Sequence, residues 1–223
     1  MRKNYSVFQR ISLILLFFVL FLGTDNIMAQ NDYLKDLPPL IDRDLIFGDP
    51  QIAGSQLSPD GQFITFLKPY KEVRNIYIKM RGQDFEEAKP ITADERPVAG
   101  YFWSRDSKYV LYVQDKGGNE NFHIYKVDPT QDPEKETGVP PAEDITPLEG
   151  IRAYIYSLPK DSPNEIIVGL NDRDKSYHDI YRVDLTTGER ELLHENREKM
   201  AGFTFDLKGN LRLATRQTED GGT

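Results

Sequence analysis

The stretch LSPDGQFITFL, residues 57–67, decides the fold because it joins a turn to a half-buried strand. Pro59, Asp60 and Gly61 form a turn signal, since proline and glycine supply the backbone angles that tight turns require. Alternating apolar residues follow, and a period of two is typical of a strand with one buried face. If the unit recurs along the chain, the repeat dictates the architecture.

Two strand elements recur along the chain. Further copies of the first element are WSRDSKYVLYV (103–113), LPKDSPNEIIVGL (158–170) and FDLKGNLRLAT (205–215). The second element contains an Ile-Tyr pair and occurs as RNIYIKM (74–80), FHIYKVD (122–128) and HDIYRVD (178–184). Successive Ile-Tyr pairs are 48 and 56 residues apart, and each is followed by a short strand candidate: AKPIT (88–92), EDITPL (143–148) and ERELLHE (189–195).

A strand-built repeat of roughly 45–55 residues predicts β-propeller blades. We therefore expect an all-β fold with a partial propeller over residues 49–223, made of about three to four four-stranded blades that start near residues 55, 101, 155 and 202. No helical periodicity follows the N-terminal region, and residues 84–90 allow one turn before Pro90 ends it. The alternative is a β-sandwich whose hairpins resemble one another by chance.

Composition limits the classes of function. The hydrophobic content of 39% and the aromatic content of 11% are those of a chain with a packed core. The formal net charge of −8 argues against a nucleic-acid partner, because phosphate backbones select surfaces rich in lysine and arginine. The chain contains no cysteine, which excludes disulfides and thiolate metal sites.

The N-terminus is typical of a secretory signal peptide. Three basic residues in MRKNYSVFQR precede the apolar run ISLILLFFVLFL (11–22), and polar residues ending at Ala29 follow. We expect cleavage near Ala29, so that residues 1–29 are removed, residues 30–48 form a lead-in segment and the protein is periplasmic or secreted. An uncleaved anchor is the alternative, although the run is shorter than the ~20 apolar residues that span a bilayer.

Several segments resemble the start of exported bacterial peptidases of the prolyl oligopeptidase family, the acylaminoacyl- and dipeptidyl-peptidase-like serine enzymes. The resemblance runs from about Pro38 to the end of the chain. Its most specific segments are Ile41-Asp42-Arg43, Phe47-Gly48-Asp49-Pro50, Gly100-Tyr101-Phe102-Trp103-Ser104 and Gln114-Asp115-Lys116-Gly117-Gly118. The Ser-Pro-Asp-Gly unit is less specific, because TolB-like periplasmic propellers also use it.

The resemblance implies a propeller of seven or eight blades that precedes and covers an α/β-hydrolase domain carrying a Ser-Asp-His triad. This chain has no Gly-x-Ser-x-Gly nucleophile elbow, and Ser55 lacks that spacing. Its three histidines, His123, His178 and His194, lie in or beside predicted blade strands. We expect no catalytic, cofactor-binding or metal-binding residue, no cofactor, and no peptidase activity from the chain alone.

The number of blades leads to a further expectation. About three and a half blades fit between Asp49 and Thr223, whereas closed propellers need roughly four to eight. An open arc leaves apolar faces uncovered, and such faces find partners. We therefore expect the N-terminal portion of a longer protein, whose partners are its own remaining blades, the hydrolase domain and peptide substrates.

Two groups of titratable residues could form a site, and each has a simpler structural explanation. His178 and Asp179, close to Asp172 and Asp174, could suggest a metal site. The loop lacks the pattern of a calcium-binding loop, so a solvated hairpin is favoured. His123 is expected to be a packed or edge histidine in a strand.

The remaining candidates are acidic or aromatic. Glu86 and Glu87 could hold the N-terminus of a substrate, as a glutamate pair does in dipeptidyl peptidase IV-like relatives, but solvent exposure is favoured. Trp103 is expected in a blade core. Three tyrosines repeat with the blades and are expected to be structural: Tyr77, Tyr125 and Tyr181.

Two hypotheses of function follow. The first is a non-catalytic propeller that gates access to the hydrolase domain of an exported serine peptidase and acts as a size filter for peptides. The second is a stand-alone periplasmic propeller of the TolB-like class that binds proteins. The family-specific segments favour the first hypothesis.

Overall fold

The computed structural model describes residues 38–48, 50–218 and 220–222. The chain divides into two compact units, Met1–Asp49 and Pro50–Thr223. The predicted signal peptide lies outside the described residues. None of the described helices is long and apolar enough to cross a bilayer.

The described part of the first unit contains one short helix, α1 (Arg43–Phe47). The side chain of Asp42 caps it by accepting a hydrogen bond of 3.0 Å from the N–H of Asp44. This helix corrects the expectation that no helix follows the N-terminal region. Five residues are too few to display a helical period, so only the capping residue could have indicated it.

The second unit is built from strands. The first sheet contains β1 (Ala53–Leu57), β2 (Phe63–Tyr70), β3 (Val73–Met80) and β4 (Lys89–Pro90). The second contains β5 (Tyr101–Trp103), β6 (Val110–Gln114), β7 (His123–Val127) and β8 (Ala142–Asp144). The third contains β9 (Ala153–Ser157), β10 (Glu165–Asp174), β11 (Tyr177–Asp184) and β12 (Arg190–His194). A hairpin of β13 (Gly202–Phe205) and β14 (Leu211–Thr215) follows.

Each four-stranded sheet is an antiparallel meander in which neighbouring strands follow one another along the chain. Three sheets with the same strand order, followed by the hairpin, are successive propeller blades. The predicted all-β propeller fold is confirmed. Within the described residues of the second unit, the only helical element is a 3₁₀ turn (Phe85–Glu87).

The Ile-Tyr pairs occupy the same place in each blade. Ile76, Ile124 and Ile180 lie on β3, β7 and β11, the third strands, and all three are fully buried. Burying each of these side chains contributes roughly 1.5–3 kcal/mol. The repeat inferred from the sequence is therefore a repeat of the blade core, as predicted.

A buried threonine ties the end of each of the first two blades to its third strand. The Oγ1 of Thr92 accepts a hydrogen bond of 2.9 Å from the N–H of Ile76, and Thr146 accepts one of the same length from Ile124. Both threonines are essentially inaccessible to solvent. Because a buried N–H without an acceptor is costly, these hydroxyls hold the fourth strand against the third.

The first turn of each of the first two blades uses one hydrogen-bond network. In the first blade the hydroxyl of Ser58 donates to Asp60 at 2.6 Å and accepts from the N–H of Phe63 at 2.9 Å. In the second blade Ser104 donates to Asp106, also at 2.6 Å. The serine and aspartate therefore close the turn that the opening stretch of sequence predicts.

The residue after the turn aspartate has left-handed backbone angles in both blades. This residue is Gly61, with φ of 74°, in the first blade and Ser107, with φ of 64°, in the second. Glycine accepts this conformation without strain, whereas serine does not. The hydroxyl of Ser107 accepts a hydrogen bond of 3.0 Å from the N–H of Asp60, which links the turns of the two blades.

The turns of later blades are linked in the same order. Arg105 in the second blade donates from Nε to the carbonyl of Leu158 in the third at 3.1 Å. The N–H of Lys160 donates to the carbonyl of Leu207 in the hairpin at 2.7 Å. Each blade is thus connected to the next at the turn between its first two strands.

The hydrophobic core lies between neighbouring sheets. One cluster joins the first and second blades and includes Leu67 and Trp103. A second cluster joins the second and third blades and includes Leu111 and Val168. Face-to-face packing of this kind fixes the position of each blade relative to its neighbour.

We predict that Thr146→Val lowers the free energy of unfolding by about 1–3 kcal/mol, because valine keeps the shape but leaves the buried N–H of Ile124 without its acceptor. Urea denaturation followed by circular dichroism measures the change. The matched control is Thr204→Val on β13, an exposed position where we expect a change within about 0.5 kcal/mol. Equal unfolding midpoints for Thr146→Val and the unaltered chain would contradict a stabilising role for the hydrogen bond between Thr146 and Ile124.

Candidate functional site

The predicted histidine and aspartate group does not converge on one point. His178 packs against the ring of Tyr154, with ring centroids 4.6 Å apart. Asp172 accepts a hydrogen bond from the hydroxyl of Tyr181, and Asp174 accepts one from the N–H of Ser176. Among the described residues there is no group of three or more histidines and carboxylates that could hold a metal ion.

Asp179 is buried, so the expectation of a solvated hairpin is wrong for this residue. Arg173 donates to both of its carboxylate oxygens at 2.7 Å, and the N–H of Asn196 donates to Oδ1, also at 2.7 Å. Burial raises the pKa of Asp179, but the hydrogen bonds from Arg173 and Asn196 outweigh it and lower the pKa below its usual value. Asp179 therefore ties the segment after β12 to β11, as the threonines do in the first two blades.

His123 pairs with a carboxylate. Its Nδ1 lies 2.7 Å from Oδ2 of Asp144, across the neighbouring strands β7 and β8. An Asp-His pair orients the base of a serine-peptidase triad, but no described hydroxyl hydrogen-bonds to the other ring nitrogen of His123. The pair therefore braces two strands, in agreement with the expectation of a packed or edge histidine.

The glutamate pair lies on the 3₁₀ turn between β3 and β4. Glu86 and Glu87 are both exposed, as expected from the sequence. Their neighbour Phe85 packs edge-on against Phe66 at 5.2 Å and so holds the turn to the blade. The two carboxylates point to solvent beside an anchored aromatic ring and form no enclosed clamp.

Trp103 is buried at the junction of the first two blades, as predicted. Its Nε1–H donates a hydrogen bond of 3.0 Å to the hydroxyl of Thr65, and its ring stacks on Phe63 with centroids 6.3 Å apart. Trp103 therefore braces the first strand of the second blade against the second strand of the first blade.

A groove of about 280 Å³ lies between the end of the first blade and the outer part of the second. Its polar residues include Asp94 and two stacked tyrosines, Tyr112 and Tyr125, whose ring centroids are 5.3 Å apart. Asn75 fixes the backbone of Asp94, because its side chain accepts from the N–H and donates to the carbonyl. The apolar residues lining the groove include Val139.

The electrostatics of the groove follow from burial. Burial raises the pKa of Asp94, although a hydrogen bond with Tyr112 lowers it in part. Burial and the nearby charge of Asp94 raise the pKa of Tyr112. Burial, together with the charge of Asp144, raises the pKa of Tyr125 to about 12. Both phenols are therefore protonated at neutral pH. The hydroxyl of Tyr112 donates to Asp94, so the hydroxyl of Tyr125 is the one that can donate a hydrogen bond to a polar ligand.

Sequence reasoning missed Asp94 and Tyr112 as members of one groove. Tyr125 was singled out, but only as a repeating core residue. Asp94 follows the fourth strand by four residues in a run of charged residues, and nothing in its immediate neighbours distinguishes it from a solvated loop carboxylate. Its burial depends on a neighbouring blade, which local sequence does not reveal.

Comparison with curated proteins identifies relatives among peptidases. The chain is 39% identical over 184 residues to dipeptidyl aminopeptidase BIII of Pseudoxanthomonas mexicana. These residues cover 82% of this chain and 25% of that protein. It is 29% identical over 190 residues to dipeptidyl peptidase family member 6 of Caenorhabditis elegans, which covers 82% of this chain and 24% of that protein. The chain therefore spans about a quarter of the length of these relatives. No protein-family model matches it.

Solved structures with similar folds include a prolyl oligopeptidase and TolB. Prolyl oligopeptidase B from Galerina marginata has a TM-score of 0.49 at 13% identity and covers 73% of this chain and 26% of its own. TolB from Acinetobacter baumannii has a TM-score of 0.46 at 22% identity and covers 73% and 36%. The assignment of blades depends on the sheet order described above and not on these values.

We predict that Asp94→Asn raises the melting temperature at pH 7 and leaves it unchanged at pH 3. The raised pKa means that the folded chain favours the protonated carboxyl. The protonated carboxyl contributes to stability fully below the unfolded-state pKa, and this contribution is lost as pH rises through the folded-state pKa. Replacing the carboxyl by a neutral amide therefore stabilises the fold only at higher pH. Thermal unfolding of Asp94→Asn and of the unaltered chain, followed between pH 3 and pH 7, measures the difference in melting temperature.

The matched control for this measurement is Asp132→Asn. Asp132 is exposed in the loop between β7 and β8. We expect its melting temperature to follow that of the unaltered chain at both pH values. A lower melting temperature for Asp94→Asn at pH 7 would contradict the assignment of Asp94 as a desolvated carboxylate.

Proposed function

We propose that the chain is a propeller segment of a peptidase of the prolyl oligopeptidase family and that it gates access to the catalytic domain of an exported serine peptidase. The observation that carries this proposal is the 39% identity to dipeptidyl aminopeptidase BIII over 184 residues. The stand-alone TolB-like alternative is less well supported, because both curated relatives are named as peptidases.

The links between blades support a gating role. Adjacent blades are connected at their turns, by the bond between Trp103 and Thr65, and by buried clusters between the sheets. Blades held in this way would give the opening of a propeller a constant width. An opening of constant width admits short or unfolded peptides and excludes folded proteins by size alone.

The chemistry of the described residues supports a non-catalytic role for this segment. Peptide hydrolysis by a serine enzyme needs a nucleophile within hydrogen-bond reach of a histidine, with backbone donors for the oxyanion. No hydroxyl among the described residues hydrogen-bonds to the ring of His123. In the proposal, the acyl-enzyme chemistry belongs to a separate α/β-hydrolase domain.

The gating proposal predicts three results. The full chain alone should not release the chromophore from a dipeptidyl chromogenic substrate. A chimera, in which this segment replaces the matching 184 residues of dipeptidyl aminopeptidase BIII, should cleave that substrate and leave a long folded protein largely intact. Introducing Thr65→Val into the chimera removes the acceptor for Trp103 and should raise cleavage of the long substrate relative to the short one.

The control for the chimera is Thr204→Val, which changes an exposed position away from the junction of the first two blades. This variant should keep the original ratio of long to short substrate. Equal cleavage of both substrates by the unaltered chimera would refute gating. Turnover by the chain alone that responds to a serine-directed inhibitor would refute its non-catalytic role.

We also propose that the protein is exported. A basic N-terminal segment followed by an apolar run and a small residue at Ala29 supports this proposal. When the chain is expressed in a Gram-negative host, the periplasmic product should begin after residue 29, as read by intact-mass spectrometry. Recovery of the full-length chain from the membrane fraction would favour the uncleaved anchor.

A further inference from the structure

The guanidinium of Arg152 lies between two aromatic rings. Its central carbon is 5.0 Å from the ring centroid of Phe122 and 5.3 Å from that of Tyr154. Nε is buried and has no hydrogen-bond partner among the described residues. No described carboxylate forms an ion pair with this side chain. We call Arg152, Phe122 and Tyr154 the arginine cage.

Two other arginines of the third blade, unlike Arg152, pair with carboxylates. Arg173 binds both oxygens of Asp179, and Arg182 forms ion pairs with Glu165 and Glu191. A guanidinium carries five N–H donors in a planar fork that fits a carboxylate. Aromatic faces attract the charge of Arg152 but accept none of these hydrogen bonds in the plane of the fork.

A second group without a hydrogen-bond partner lies beside the cage. His178 packs on the ring of Tyr154, and its Nε2 is buried without a hydrogen-bond partner among the described residues. Burial lowers the pKa of His178; the charge of Arg152 lowers it further, whereas a hydrogen bond to the backbone of Arg152 and the charge of Asp179 oppose this. The ring is therefore neutral at pH 7, and Arg152 is the positive charge of the cage.

The backbone around the cage is well anchored. The N–H of Ala153, next to Arg152, donates to the carbonyl of Phe122 at 2.8 Å and so joins the second blade to the third. Nζ of Lys175 donates to the carbonyl of Gly150 at 2.9 Å and closes the adjoining loop. The cage is thus held in place before any ligand arrives, which lowers the entropic cost of binding.

The position of the cage gives it access to ligands. Arg152 directly precedes β9, the first strand of its blade. Tyr154 lies on β9 and is 42% exposed. Arg152 itself is partly exposed. The cage is therefore accessible to a ligand from solvent.

We propose that the arginine cage binds the carboxylate of a short peptide. A carboxylate satisfies two donors of the guanidinium fork at once, and the two rings provide apolar surface for the adjoining residue. A monoanion is favoured over a phosphate dianion, because the cage has one positive charge and the chain has a formal net charge of −8. Peptide as the ligand rests on the proposed peptidase function.

The test compares one ligand in two forms, N-acetyl-dialanine and its C-terminal amide, by calorimetric titration of the full 223-residue chain. We expect the acid to bind at least tenfold more tightly than the amide. Arg152→Met keeps the aliphatic packing and removes the charge, so it should weaken binding of the acid to the level of the amide. Arg81→Met, at an exposed arginine of the first blade, should leave the preference unchanged.

A second variant and a second ligand complete the test. Arg152→Lys keeps the charge but loses the planar fork, so the acid should bind more weakly to it than to the unaltered chain. Equal binding of acid and amide, no binding in the millimolar range, or inorganic phosphate binding as tightly as the acid would overturn the proposal.

The structural alternative is that Arg152 only braces the second blade against the third. In that case Arg152→Met lowers the melting temperature, while the unaltered chain shows no preference for the acid over the amide. This result would overturn the proposal. The titration needs no catalytic domain, so its failure is distinct from failure of the chimera to gate substrates.

Discussion

A hydrogen bond buried at the edge of each blade is the constraint on which the rest of the structure depends. In the first two blades the hydroxyls of Thr92 and Thr146 accept the N–H of the buried isoleucine in the third strand. In the third blade the direction is reversed, because Asp179 accepts the N–H of Asn196. A fourth strand held in this way completes a blade whose two faces can then pack against its neighbours.

The positions of polar groups between the blades follow from this packing. The groove at Asp94 exists because the segment after the fourth strand of the first blade returns beside Tyr112 of the second. The arginine cage exists because Phe122, directly before β7, and Tyr154 on β9 belong to adjacent blades. Both features therefore lie at junctions, where side chains from two sheets meet and where a propeller can build a binding site.

The comparisons and the fold both indicate a propeller segment that is similar to part of known peptidases. The relatives are named as peptidases, and the matched residues make up about a quarter of their length. The described residues contain an Asp-His pair at His123 and Asp144 without a hydroxyl nucleophile beside it. In the proposed function, the linked blades act as a filter that contacts peptides, and another domain hydrolyses them.

The sequence by itself determined the blade repeat, the Ser-Asp turns and the buried role of Trp103 and the Ile-Tyr pairs. These features depend on alternation and turn chemistry within about ten residues, which are local properties. Only the tertiary structure decided that Asp179 is buried against Arg173, that Asp94 lines a groove and that Arg152 lies between two rings. Neighbouring sheets create those environments, since packing brings together residues such as Phe122 and Tyr154 that are distant along the chain. A charged residue in a loop has the same local sequence whether a second blade covers it or water does.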